Sequence, residues 1–350
     1  MTTRLFLGTR YGVFRVNPDS GVVTRLGPLD TSIESVAVHG NVIVAAITPD
    51  YGLPMREPLG PRHRAGAVRS LDGGIRWLPC GGALEGVNVT ALAWGAGGFA
   101  AGTDPADVLH SYDHGATWTR GASLRTLPGA EDWAYPLPPG TAHVMDILPH
   151  PTRSTVLYAG IEVGGLVVSA DSGCNWAPIG GAVAGESIHP DVHGIAACTS
   201  APHVMYAATP DGVYVSENAG ATWASRSVGL DPLYCRPIAV HPADPDVAVT
   251  VATHGATGFF GKDAARTGAR VLRTTDRGGT WAPVAGVPGE FQPTPGLVAD
   301  PEVPGRFFMA TFSGEVHTSG DSGATWRLLA EGLPATFRID RKSTRLNSSH

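Results

Sequence analysis

One octapeptide recurs six times along the chain, and no other feature of the sequence constrains its fold as strongly. The copies share Ser or Thr at position one, Asp or Asn at position three, Gly at position five and Trp at position eight. They are SLDGGIRW (70–77), SYDHGATW (111–118), SADSGCNW (169–176), SENAGATW (216–223), TTDRGGTW (274–281) and SGDSGATW (319–326). Their third positions are 41, 58, 47, 58 and 45 residues apart, near the period of a four-stranded propeller blade.

The residue types of the octapeptide are those of a tight hairpin turn. A short carboxylate or amide at the third position accepts hydrogen bonds from turn N–H groups, and Gly at the fifth supplies a positive φ. The closing Trp begins the next strand, where its ring can pack between neighbouring sheets. A structural role in the turn is therefore predicted for the six third-position residues, Asp72, Asp113, Asp171, Asn218, Asp276 and Asp321.

The segment before each octapeptide has the pattern of three strands. Residues 144–173 and 195–220 both contain an apolar strand, a Pro-rich or polar turn, a second strand, a short loop and a third strand that ends in the octapeptide. The strand after the Trp completes four, with the apolar first strand innermost. This pattern predicts one antiparallel blade for each repeat.

The N-terminus contains a seventh, degenerate repeat. Residues 17–21 (NPDSG) keep an Asp and a Gly, but Thr24 stands where the Trp is expected and no innermost strand precedes Leu5. Residues 335–339, after the last octapeptide, can supply that strand, and closure by both termini removes exposed sheet edges. The predicted fold class is all-β, a single seven-bladed β-propeller of four-stranded antiparallel blades over residues 1–339, with its ring closed by N- and C-terminal strands.

The last eleven residues, 340–350 (DRKSTRLNSSH), share no pattern with the blades. They resemble the translation of a sequencing-adapter oligonucleotide. We therefore expect this tail not to be native and exclude it from the fold.

The octapeptide resembles the Asp-box, or BNR, repeat of sialidases, sortilin-type receptors, xyloglucan-degrading enzymes and photosystem assembly factors. The resemblance covers nearly the whole chain and implies a β-propeller. For function it implies a ligand-binding or assembly module for a glycan, peptide or protein, and as an alternative a glycoside hydrolase of sialidase-like or xyloglucanase-like type.

This chain has only some of the features that sialidases and xyloglucanases of this type require. Sialidases of this type carry a Phe-Arg-Ile-Pro-like motif early in the domain, whereas here the similar residues 337–340 (FRID) follow the last repeat and lack the Pro. Xyloglucanases of this type use two facing propellers with a catalytic carboxylate from each, and this chain has one propeller. The binding module is therefore the preferred interpretation.

Charge, apolar runs and cysteine spacing limit which partners and which cellular location the sequence predicts. A net charge of −6 and a pI near 6.1 give no electrostatic surface for nucleic acid. No apolar run reaches membrane-spanning length, and the N-terminus lacks the apolar segment of a secretion signal. The four cysteines have no metal-site spacing. We expect a cytoplasmic monomer with no membrane partner, and the sequence assigns no cofactor and no metal.

Propeller topology separates two faces of the ring. The octapeptide hairpins join third and fourth strands and lie on one face, called here the box face. Loops between second and third strands and between blades lie on the opposite face, the loop face, which should carry the long insertions at 50–66, 120–142 and 254–270. Long loops on a rigid scaffold are where binding and catalysis concentrate, so a site is expected on the loop face near the central channel.

Polar residues near the predicted loop-face ends of strands form the candidate site. The candidate catalytic carboxylates are Glu162, Glu186 and Asp191, and the candidate ligand-binding residues are His143, Asp146, His189, His193, Tyr234 and Arg236. Strand alternation would place His189, Asp191 and His193 on one side, as metal ligands or as a general base oriented by a carboxylate. The alternative for His189-Pro190-Asp191 is a simple turn, like the other His-Pro pairs of the chain.

Overall fold

A computed structural model of the chain describes residues 4–28, 31–47, 65–136, 140–182, 187–255, 268–287 and 296–342. These residues form seven small sheets of four antiparallel strands, and two of the sheets carry a further short parallel strand at the outer edge. The seven-bladed all-β propeller predicted from the octapeptide is confirmed.

The first three blades, in chain order, have the following strands. The first contains β1 (Arg4–Thr9), β2 (Gly12–Val16), β3 (Val23–Gly27) and the last strand of the chain, β30 (Thr336–Lys342). The second contains β4 (Ile33–His39), β5 (Val42–Ile47), β6 (Gly66–Ser70) and β7 (Leu78–Pro79). The third contains β8 (Gly81–Gly82), β9 (Asn88–Gly95), β10 (Gly98–Asp104), β11 (Val108–Ser111) and β12 (Thr117–Arg120).

The other four blades follow the same plan. The fourth contains β13 (His143–Pro149), β14 (Leu157–Glu162), β15 (Gly165–Ser169) and β16 (Ala177–Ile179), and the fifth contains β17 (Gly181–Ala182), β18 (Gly194–Ala197), β19 (Met205–Thr209), β20 (Gly212–Ser216) and β21 (Thr222–Ser225). The sixth contains β22 (Tyr234–Val240), β23 (Ala248–Thr253), β24 (Arg270–Thr274) and β25 (Ala282–Pro283), and the seventh contains β26 (Gly296–Ala299), β27 (Phe307–Ala310), β28 (Val316–Ser319) and β29 (Arg327–Ala330). Two 3₁₀ helices, η1 (Leu124–Thr126) and η2 (Ala130–Asp132), lie in the insertion between the third and fourth blades.

The innermost strands make a closed circle. In ring order they are β30, β4, β9, β13, β18, β22 and β26, each contacts the next, and β26 contacts β30. Apolar clusters fill the spaces between adjacent sheets: Tyr158 and Leu166 of the fourth blade pack with Ile195, Ala207 and Trp223 of the fifth. Burial of such faces is the main stabilising contribution to the ring.

The C-terminal strand closes the first blade. β30 pairs antiparallel with β1, with Leu7 opposite Ile339, so the strand missing from the degenerate repeat comes from the other end of the chain. β30 continues through residues 340–342, into the segment that we excluded as a tail. The Asp340 carboxylate accepts a hydrogen bond from the Val38 N–H at 2.9 Å.

The octapeptides form the hairpin turns that their residue types predict. In the second copy, Asp113 accepts hydrogen bonds from the Thr117 N–H and hydroxyl at 2.9 and 2.6 Å. Gly115 has φ +79°, and His114 before it also has a positive φ, +59°. The buried Trp118 donates its Nε1–H to the Gly115 carbonyl at 3.1 Å.

The first residue of the octapeptide has a role that we did not predict. The Ser111 hydroxyl accepts the Gly115 N–H at 2.9 Å and donates to Asp113 at 2.8 Å, so it links the two ends of the turn. The buried first residues of the other copies make the same pair of bonds. Asn218 accepts the Thr222 N–H at 2.9 Å, as an Asp would.

The degenerate repeat folds as the β2–β3 hairpin but is capped differently. Asn17, and not Asp19 at the third position, accepts the N–H groups of Asp19 and Ser20, each at 2.9 Å. Asp19 instead pairs with Arg306 of the seventh blade at 2.8 Å.

Within the described ranges, no helix is long and apolar enough to cross a membrane.

Candidate functional site

Several innermost strands bulge close to their loop-face ends. The register shifts between Val144 and Asp146 in β13, between Cys235 and Ile238 in β22, and between Ile33 and Ser35 in β4. A bulge places an extra residue in one strand and re-aims its neighbours. Side chains at these strand ends are thereby turned relative to strict alternation, and several of them meet on the loop face.

Glu162 is the centre of this meeting point. It is the last residue of β14 and directly opposes His143, the first residue of β13. Its side chain is only 6% exposed, and Oε2 lies 2.6 Å from His143 Nε2. A buried carboxylate requires such compensation, because its desolvation would otherwise favour the neutral acid.

The pair is electrostatically matched. Burial of the His143 ring opposes its protonation, but the hydrogen bond and negative charge of Glu162 outweigh burial and raise the pKa of His143. Burial would raise the pKa of Glu162, but the His143 hydrogen bond and the positive charge of Arg236 lower it. Both shifts favour an imidazolium–carboxylate pair.

His193 approaches the other oxygen of Glu162. Its fully buried ring lies 2.7 Å from the Cys235 carbonyl through Nδ1, and a carbonyl only accepts, so Nδ1 carries a proton. Nε2 lies 3.3 Å from Asp191 Oδ1 and 3.9 Å from Glu162 Oε1. His193 Nε2 and Asp191 Oδ1 are both buried without a hydrogen-bond partner.

Two tyrosines border the cluster. The Tyr234 ring is tilted against His193 with 4.8 Å between centroids, and burial raises the pKa of its hydroxyl to about 12. The Tyr135 ring contacts His143 edge-on at 5.4 Å, and burial followed by the charge of Glu162 raises its pKa. Tyr135 comes from the insertion that carries η1 and η2, while its neighbour Trp133 packs into the core beside the fourth blade.

Two of the remaining predicted residues lie at the channel. Arg236 of β22 is half-buried, and the charge of Glu162 is among the causes that raise its pKa against burial. Asp146 pairs with Arg338 at 3.0 Å and accepts the Ile195 N–H at 3.0 Å. Because Arg338 belongs to the first blade and Asp146 to the fourth, this ion pair spans the ring.

The residues 337–340 that resemble the sialidase motif include Arg338 and have a structural role. They form part of the closing strand, and the Arg338 guanidinium also donates to the Met145 carbonyl at 3.0 Å. The resemblance noted in the sequence thus corresponds to a structural strand.

The prediction that strand alternation aligns His189 with Asp191 and His193 is wrong. Residues 187–193 are not a strand, and β18 begins only at Gly194. His189 Nδ1 accepts the Asp191 N–H at 3.0 Å, the same turn contact that His150 and His241 make after their own His-Pro pairs. Glu186 lies outside the described residues, as do most of the insertions predicted at 50–66 and 254–270.

The structure also adds groups that the sequence did not reveal. The Cys235 carbonyl fixes the His193 ring through a bulge, and Arg338 reaches Asp146 from 192 positions away. Backbone carbonyls carry no sequence signal, and a contact between the ends of a ring has no local pattern. Tyr135 is likewise not among the residues predicted for the site.

No family model matches the chain, and no curated protein matches its sequence. Solved structures do resemble it. The GH74 xyloglucanase from Xanthomonas campestris superposes with a TM-score of 0.68 at 17% identity, over 95% of this chain and 52% of that one. The GH74 enzyme of Niastella koreensis gives 0.65 at 16% identity, over 94% and 52%. This chain thus spans about half the length of those two enzymes.

A third similar structure is YCF48 bound to D1 peptide, with a TM-score of 0.53 at 15% identity over 86% of this chain and 81% of that one. These identities support a shared propeller fold alone. The similar structures include a glycan-degrading enzyme and a peptide-bound protein, so the site residues must decide between the two function classes.

Proposed function

We propose that this protein is a ligand-binding or assembly module of the Asp-box type that takes a glycan, a peptide or a protein segment on its loop face. The observation that carries the proposal is the convergence of polar side chains from three blades at one mouth of the ring. Glu162 and His143 come from the fourth blade, His193 from the start of the fifth, and Tyr234 from the sixth.

The contacts of Glu162 favour binding over catalysis. Its carboxylate is buried, Oε2 is taken by His143, and Oε1 faces His193. A glycosidase nucleophile or acid must reach the scissile bond of its substrate, and Glu162 lies behind two imidazoles. Tyr135 is more accessible, and an aromatic ring beside charged groups is suited to stacking on a sugar or an apolar side chain.

Matched tyrosine variants on opposite faces test this proposal. Tyr135→Ala alters the loop face, and Tyr112→Ala alters the exposed second residue of an octapeptide on the box face. Both proteins and the wild type are screened against a glycan array and a peptide array, and hits are measured in solution. We expect Tyr135→Ala to weaken binding about tenfold or more, as loss of a stacking aromatic does, and Tyr112→Ala to bind normally. Binding lost only in Tyr112→Ala would place the ligand on the box face and refute the proposal.

A glycoside hydrolase is the second candidate, and one distance favours it. Oxygens of Glu162 and Asp191 lie within 4.8 Å of each other, nearer to the separation of about 5 Å in retaining glycosidases than to the wider spacing in inverting ones. Assay of a glycoside panel with wild type and Asp191→Asn tests it. Turnover that is abolished in Asp191→Asn would replace the binding proposal with this one.

The sequence-based expectations of location and oligomeric state remain part of the proposal. All four cysteines are free thiols, including the exposed Cys174, which suits a reducing compartment such as the cytoplasm. Size-exclusion chromatography with light scattering would test the expected monomer.

A further inference from the structure

Three hydrogen-bond acceptor atoms lie close together beside the Glu162–His143 pair: His193 Nε2, Asp191 Oδ1 and Glu162 Oε1. The Cys235 carbonyl fixes the proton of His193 on Nδ1, so in the neutral ring Nε2 presents a lone pair. That lone pair faces Asp191 Oδ1 and Glu162 Oε1. An electron pair held against two carboxylate oxygens away from water is unfavourable, and a positive species between these atoms would relieve it.

The distances agree better with a metal ion than with a proton. A protonated Nε2 would form a charge-assisted hydrogen bond of about 2.7–2.9 Å, as His143 does with Glu162 at 2.6 Å. His193 instead keeps 3.3 Å from Asp191 and 3.9 Å from Glu162. Metal–ligand bonds of about 2.0–2.1 Å in a tetrahedral site separate the ligand atoms by about 3.3 Å, close to the shorter of these distances.

We propose that His193, Asp191 and Glu162 bind a divalent transition-metal cation, Zn²⁺ in preference to others. One imidazole and two carboxylates match the nitrogen and oxygen ligands of zinc sites, and three protein ligands leave a fourth position open for water or a ligand group. The three ligand atoms lie within 4.8 Å of one another, so a modest contraction completes the site.

The surroundings of these ligands resemble an outer shell of hydrogen bonds. The Nδ1–H of His193 donates to the Cys235 carbonyl, and the free oxygen of Glu162 binds His143. Metal-bound histidines usually donate their second N–H in this way, and ligating carboxylates are themselves hydrogen-bonded. The ligands are thus oriented before any cation arrives.

Titration of the protein with metal alone tests the site without reference to any glycan or peptide. Chelator-dialysed protein with its thiols alkylated is titrated with ZnCl₂ and MnCl₂ by calorimetry, and bound zinc is counted by mass spectrometry. We expect one Zn²⁺ per chain, and affinity reduced more than about 100-fold in Asp191→Asn and His193→Gln, since even outer-shell changes cost about 10–100-fold. His317→Gln is the control, because His317 is equally buried and pairs with Glu315 alone among the described acidic groups.

Two outcomes would overturn the inference. One is wild-type protein that binds neither Zn²⁺ nor Mn²⁺, and the other is unchanged affinity in Asp191→Asn. The Asp191 side chain is 19% exposed, so that variant should fold even if His193→Gln does not. Zinc binding without any glycan or peptide ligand would uphold this inference while the proposed function fails, so the two failures are distinguishable.

Discussion

The box face and the loop face differ in how the polar groups at their strand ends are hydrogen-bonded. At each octapeptide the buried Ser or Thr, the third-position residue and the turn N–H groups satisfy one another within eight residues. At the loop-face cluster, groups from three blades meet, and His193 Nε2 and Asp191 Oδ1 remain without hydrogen-bond partners. The repeated turns of the box face maintain the ring. The loop-face cluster, where two unsatisfied buried atoms face each other at 3.3 Å, is the part suited to a ligand.

The largest difference in stability between the two faces is expected when a buried octapeptide tryptophan is replaced. Trp223 is fully buried and donates to the Gly220 carbonyl at 2.9 Å, so Trp223→Ala should reduce the free energy of unfolding by about 3–5 kcal/mol. Trp133→Ala, in the loop-face insertion, removes a half-buried ring and should cost less than half as much. Urea unfolding measures both, and equal losses would show that the loop face is as structural as the box face.

A pair of glycine variants within one octapeptide should show a smaller difference. Gly323 has φ +83°, and an added Cβ would lie 2.5 Å from Val249 Cγ2, whereas a Cβ on Gly320 meets nothing within 4 Å. Gly323→Ala should destabilise by about 1–3 kcal/mol, since the left-handed conformation and the close contact both oppose it. Gly320→Ala should be neutral or slightly stabilising. Similar losses in both would refute the turn geometry assigned to the fifth position.

The octapeptide fixed the architecture in advance because its chemistry is local. The spacing of Ser, Asp, Gly and Trp within eight residues determines a turn whatever the rest of the chain does. The candidate site lacked this advantage: His143 and Glu162 could be placed on one face, but their direct contact depends on the register of β13 with β14. For His189 the sequence left two interpretations open, an alternating strand and a His-Pro turn, because both fit the same residues, and the structure has the turn.

The Arg338–Asp146 ion pair spans the ring, and a variant of it tests whether the loop-face side of the channel contributes to stability. Arg338 and Asp146 are 27% and 25% exposed, so solvent screens the pair in part, and Arg338→Gln should destabilise by about 1 kcal/mol. Arg327→Gln changes an exposed arginine of β29 and should have no effect. Equal midpoints of urea unfolding for Arg338→Gln and wild type would mean that the ring closes through β30 without this contact.

The smallest predicted effect is on the stability of the protein at acidic pH. Asn218, which stands where the other octapeptides have Asp, provides a control within the same chain. Burial would raise the pKa of Asp113, but hydrogen bonds from Thr117 and Ser111 outweigh it and lower the pKa to about 2. A lowered folded-state pKa stabilises the protein above the unfolded value, 3.8, and this contribution is lost as the pH falls from there through about 2. Asp113→Asn should therefore flatten the dependence of unfolding free energy on pH in that window, while Asn218→Asp should steepen it. Guanidinium unfolding at fixed ionic strength between pH 2 and 5 measures both slopes, and a slope that does not change in either variant would mean that the turn binds the neutral and charged acceptors equally well.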